Sequence, residues 1–128
     1  MRLLVDTNAW LRCAALRIDV WAEAKRIVPG RVQVCVIDKV VHELQGLQAA
    51  GGTLARNAKL AHELLKQKDT VIVPTHEAGN ADDVLVAIAS EPDFVLTQDR
   101  ELKRRLKAKG AGIVVIRQDN HLELENRY

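Results

Sequence analysis

Short apolar runs alternating with helical segments predict a three-layer α/β/α sandwich around a five-stranded parallel sheet. Most of the segments between the runs open on Asp or Asn, and several close on Gly, the start and stop signals of helices. A length of 128 residues suits a single domain over 1–128. A chain of that size buries roughly two-thirds of the surface it exposes when unfolded.

The first strand is Leu3-Leu4-Val5, which ends on Asp6 and a turn-forming Thr7-Asn8. A short helix follows over Ala9–Ala15 with Trp10 and Leu11 inward. Asp19 is placed to cap a helix over Val20–Val28, with Trp21, Ala24 and Ile27 on its apolar stripe and Pro29-Gly30 as its stop. Val32–Ile37 is the second strand. Asp38 is the expected cap of a helix over Lys39–Ala50, ended by Gly51-Gly52. A helix from Thr53 has a weak apolar face, which suits a surface or partner-facing position. Thr70–Val73 is the third strand. After a loop, Asn80 caps a helix over Ala81–Ser90, with Asp83 as the capping-box acid. Phe94–Thr97 is the fourth strand, Asp99 caps a helix over Arg100–Lys109, and Ile113–Ile116 is the fifth strand. From Gln118 onward no clear element is expected beyond a short extension.

The composition narrows the function classes. Charged residues make up 28% of the chain, but the formal net charge is only +2, so neither disorder nor a strongly polyionic surface is indicated. Apolar runs are far short of the ~20 residues of a membrane span, and Asp6 interrupts the only N-terminal run that a signal peptide would use. Cys13 and Cys35 lie in no CxxC pattern and read as small buried apolar residues. The expected setting is a reducing cytoplasm.

Strand ends at the carboxyl edge of an α/β sheet are where ligands bind, and that is where Asp6 falls. Asp99 and the Asp82-Asp83 pair share that end, and Glu43 reaches it if the second strand adjoins the first. Carboxylates crowded into one crevice raise one another's pKa unless a counter-charge is present. A hard divalent cation, Mg²⁺ or Mn²⁺, is the usual one. His42, His62, His76 and His121 show no zinc-ligand spacing. From Arg100 to Arg117 run seven basic residues and one acid, Glu101, so this stretch is the basic complement of the acidic end. Metal-holding acids beside a basic helix suit a phosphodiester substrate, with Arg100, Lys103, Arg104 and Lys107 as candidate contacts to an RNA backbone. With only Trp10, Trp21, Phe94 and Tyr128 as aromatics, phosphate contact is favoured over base stacking.

Leu-Val-Asp-Thr-Asn at 4–8, Val-His-Glu-Leu at 41–44, Ala-Asp-Asp at 81–83 and Thr-Gln-Asp-Arg-Glu-Leu at 97–102 together resemble a PIN-domain nuclease, over Leu3 to about Leu124. The resemblance implies a parallel sheet of order 3-2-1-4-5 and a metal-dependent endoribonuclease that needs no protein nucleophile. Its catalytic and metal-binding acids correspond to Asp6, Glu43, Asp83 and Asp99, with Asp82 the alternate to Asp83 and with Asn8 and Thr97 as polar neighbours. The doubled Asp and the run Asp-Arg-Glu-Leu-Lys-Arg-Arg-Leu resemble the ribosomal-RNA-processing branch. A VapC-type toxin is the alternative, although that branch usually has one Asp before a helix beginning Ala-Leu or Ala-Ile, where this chain has Asp82-Asp83 and Val84-Leu85. A non-catalytic RNA- or protein-binding assembly factor is the other. The implied partners are RNA, a second copy of the chain, and either an antitoxin or a ribosome-assembly protein, with no membrane. Two other Asp-centred α/β families fail on single positions. A haloacid-dehalogenase-type phosphatase requires Asp where Asn8 stands, and a receiver domain requires Asp where Pro74 stands.

Overall fold

The sheet has six strands in the order β3-β2-β1-β4-β5-β6 in a computed structural model that describes residues 1–125. Tyr128 lies outside the described residues. The strands are β1 (Arg2–Val5), β2 (Gln33–Ile37), β3 (Thr70–Val73), β4 (Phe94–Leu96), β5 (Gly112–Arg117) and β6 (His121–Leu124). The first five are parallel and follow the expected order 3-2-1-4-5. Helices α1 (Thr7–Leu16), α2 (Val20–Ile27), α3 (Asp38–Leu47), α4 (Gly52–Gln67), α5 (Ala81–Ile88) and α6 (Arg100–Ala108) flank it. Both central strands are buried on both faces, which is why they read as unbroken apolar runs rather than as alternation.

The sixth strand goes beyond the five expected and makes a defined element of the tail. Residues 118–120 turn the chain, with Gln118 and Asp119 in the left-handed region, and β6 returns antiparallel along β5. The segment His-Leu-Glu-Leu is too short to announce itself, so its pairing depends on β5 being in place. Its outer edge does not stay open. The Leu122 amide donates to Glu23 Oε1 (2.9 Å) and the Arg26 guanidinium donates to the Leu122 carbonyl (2.6 Å), so α2 covers the backbone that would otherwise invite another strand.

The remaining boundaries differ from the sequence reading mostly by one or two residues. Asp19, Asn80 and Asp99 cap their helices as expected, each accepting a backbone N–H. Asp38 does not. It is the first residue of α3, and its carboxylate accepts the Thr75 amide (3.0 Å) and hydroxyl (2.5 Å), which ties the loop after β3 to the start of α3. Cys13 and Cys35 are free and buried. The weak apolar stripe of α4 buries Ala58, Ala61 and Leu65 against α1 and α3, and leaves Leu54 and Leu60 exposed.

Candidate active site

Register alone brings the first two site residues together. Val5 pairs with Leu96 across the parallel β1–β4 ladder, so the residues that follow, Asp6 and Thr97, leave the sheet side by side. Asp6 is also the N-cap of α1: its Oδ1 accepts the Ala9 amide at 2.7 Å. Its Oδ2 accepts the Thr97 hydroxyl at 2.5 Å, and Thr97 Oγ1 in turn accepts the Asp99 amide at 3.1 Å. A single buried threonine thus sets the spacing between the end of β1 and the cap of α6. Asp6 is only 5% exposed. Its carboxyl is pushed up to about 6: burial is the largest cause, the hydrogen bonds from Thr97 and Ala9 oppose it, and the charges of Asp82 and Asp99 add to the rise.

Glu43 arrives from α3. Because β2 adjoins β1, the helix that follows β2 lies beside α1, and the Thr7 hydroxyl donates to Glu43 Oε1 at 2.9 Å. Thr7 and Asn80 are site residues that the sequence reading missed as such, although Thr7 sits inside the Asp-Thr-Asn motif itself. Asp6, Thr7, Asn8, Glu43, Asn80, Asp82 and Asp99 line one cleft of about 330 Å³ at the carboxyl edge of the sheet.

Asp83 is not among them. Of the two adjacent acids it is Asp82, the alternate in the sequence reading, that lines the cleft, and the cause is local. Asp83 closes a capping box, its Oδ2 accepting the Asn80 amide (3.2 Å) while Asn80 Oδ1 accepts the Asp83 amide (2.9 Å). Its Oδ1 is paired with Arg105 at 3.0 Å, and Gly79 is pressed so closely on it that a β-carbon there would sit 2.7 Å from Asp83 Oδ2. The cap, with Arg105, holds this carboxyl below its usual range. About 100° further round the helix, Asp82 faces the cleft instead. Burial raises its carboxyl, Asp99 and Glu43 add to the rise, and Arg105 opposes it. Among the described residues, Asp82 accepts no side-chain-directed hydrogen bond.

The donors in the cleft are all oxygens, four of them carboxylates, and two of those carboxylates are short of positive charge. That chemistry fits a hard divalent cation rather than zinc. Among the described residues, no three His, Cys, Asp or Glu side chains are drawn together closely enough to chelate as they stand. The acids form an open bowl that a cation would gather.

The basic complement begins beside the cleft. Arg100, Lys103, Arg104 and Lys107 line a shallow depression along α6, on the helix whose cap is Asp99. It is less bare than its sequence suggests. Lys103 donates to Glu125 Oε1 (3.1 Å), Lys107 stands 3.4 Å from Glu125 Oε2, and Arg104 is paired with Glu101. Among the described residues, no helix is long and apolar enough to cross a membrane.

A parallel sheet of order 3-2-1-4-5 with an acid-lined cleft at its carboxyl edge defines an α/β domain that concentrates carboxylates at one end of the sheet. The chain belongs to the PIN-like domain family, whose model matches residues 3–119. Its structure is similar to that of the PIN domain endonuclease Utp24, at 23% identity and a TM-score of 0.80, over 98% of this chain and 92% of that one. It is also similar to VapBC2 from Rickettsia felis, solved bound to a DNA fragment from their promoter, at 14% identity and a TM-score of 0.64, over 90% of this chain and 98% of that one. No curated protein matches the sequence.

Proposed function

We propose that this protein is a metal-dependent endoribonuclease that hydrolyses RNA phosphodiester bonds, acting in the processing of ribosomal RNA in the cytoplasm. The observation that carries the reading is the meeting of Asp6, Glu43, Asp82 and Asp99, from four separate segments, in one cleft. Family membership and the likeness to a protein described as an endonuclease support it. A Mg²⁺ or Mn²⁺ ion bound there would supply Lewis-acid chemistry, activating a water and offsetting negative charge at the phosphorus. The chain's own residues do the holding. Asp6, fixed by Ala9 and Thr97, is the rigid member of the set. Glu43 is aimed by Thr7, and Asp82 and Asp99 close the far side. The run of Arg100, Lys103, Arg104 and Lys107 steadies the RNA backbone leading away from the cleft. The second reading, a toxin of a toxin–antitoxin pair, draws on the likeness to VapBC2, which is weaker in both identity and TM-score.

The test is incubation of purified protein with structured and unstructured RNA in Mn²⁺, Mg²⁺ or EDTA. Cleavage with either metal and none in EDTA is the expected result. Cleavage that persists in EDTA and survives Asp6→Asn refutes the assignment.

A further inference from the structure

Arg105 of α6 stands apart from the basic depression formed by Arg100, Lys103, Arg104 and Lys107, and reaches across to α5, where Asp83 follows directly on the cleft-lining Asp82. It is held by Asp83 at 3.0 Å, with about a third of its surface still open. Its charge reaches Asp82, which lines the cleft, as well as Asp83, which does not. Asp83 is itself committed elsewhere: it caps α5 with Asn80, and Gly79 and the nearby Lys39, whose ammonium donates to the Gly79 carbonyl at 2.5 Å, close round it. A guanidinium has five N–H donors and a planar fork suited to phosphate, and a single carboxylate oxygen uses little of that capacity.

We propose that Arg105 binds an RNA phosphate next to the one at the cleft, and that Asp83 is its resting partner rather than a metal ligand. The inference rests on the ribonuclease reading and assigns to that site a residue on its α5 side. In the free protein Asp83 keeps the guanidinium at the rim and opposes the excess negative charge of the cleft. When RNA arrives, the phosphate takes over donors that Asp83 leaves unused or releases. Asp83 therefore competes with the RNA for the same cation, so its removal has a predictable sign. A purely structural Asp83–Arg105 pair predicts no change in RNA binding that depends on Arg105.

The experiment measures binding of a short unstructured single-stranded RNA in EDTA, by fluorescence anisotropy across a salt series, for wild type, Arg105→Ala, Asp83→Asn and the double variant. Arg105→Ala should weaken binding about tenfold at low salt and flatten the slope of log affinity against log salt by about 0.7. Asp83→Asn keeps the capping box, because the amide oxygen still accepts the Asn80 N–H. It should tighten binding about threefold, the range that a partly exposed ion pair spans. That gain should vanish in the double variant. Should Arg105→Ala fail to fold by thermal melting, Arg105→Gln takes its place. If Arg105 variants bind with wild-type affinity and slope, or if the Asp83→Asn gain persists without Arg105, the proposal is overturned while the nuclease reading stands. Wild-type protein that binds no RNA in EDTA overturns the proposal, and if it also cleaves none in Mn²⁺ or Mg²⁺ it overturns both.

Discussion

Asp6 is the site residue whose charge should be felt most by the fold, and Asp6→Asn tests this directly. In the metal-free protein its carboxyl is pushed from 3.8 to about 6, chiefly by burial. A folded-state pKa raised above the unfolded one leaves the fold unaffected below pH 3.8, destabilises it progressively as pH rises through about 6, and has its full effect above that. The rise amounts to about 3 kcal/mol near pH 7.5 and about 0.5 kcal/mol near pH 4. Asparagine removes this penalty and keeps the Ala9 hydrogen bond, because its amide oxygen can still cap α1. Its NH₂ cannot accept from the Thr97 hydroxyl, which must turn away, at a cost of about 1 kcal/mol. The net expectation in EDTA near pH 7.5 is a gain of about 2 kcal/mol, or roughly 8 °C at about 4 °C per kcal/mol for a chain of this size. Near pH 4 the variant should melt at or slightly below wild type. Mn²⁺ should raise the wild-type melting temperature and leave the variant unmoved. Circular dichroism melts at both pH values, with and without Mn²⁺, decide it. A variant that melts lower at neutral pH, or by the same offset at both, refutes the crowded-carboxylate argument.

Three further outcomes are expected. Asp82→Asn should remove most of the metal-dependent RNA cleavage and Asp83→Asn much less, since only Asp82 faces the cleft; single-turnover rates with the reverse ranking would return Asp83 to the ligand set. Replacing Arg100, Arg104 and Lys107 together by Ala should weaken binding across RNA sequences and flatten the salt slope by about 0.7 for each phosphate no longer neutralised. An unchanged slope would make this helix face a solvated one, and Lys103 is spared because it anchors Glu125. At the opposite end of the sheet, Arg2 holds the buried Asp93 in a two-pronged pair at 2.7 and 3.0 Å. Arg2→Met should destabilise the fold by about 2 kcal/mol in urea unfolding at neutral pH, because it takes a two-pronged cationic partner from a buried carboxylate that keeps its hydrogen bonds from Ser90. Cleavage per folded molecule should stay unchanged.

Much of this architecture is legible in the sequence because its cues are local. A buried parallel strand needs an unbroken apolar run, and a helix start needs an acceptor for its first amides. Leu3-Leu4-Val5 and the caps at Asp19, Asn80 and Asp99 therefore state their positions outright. What the chain could not state alone depends on partners distant in sequence. Asp38 has the look of a cap, but Thr75, 37 residues on, takes its carboxylate. β6 exists because β5 offers it an edge and α2 then covers the other side. The choice between Asp82 and Asp83, and the turning of Arg105 inward while Arg104 stays outside, follow from how α5 and α6 pack on each other and on the sheet. Adjacent residues on a helix differ by about 100° in direction but by almost nothing in local propensity. Only the docked face decides which carboxylate meets the cleft.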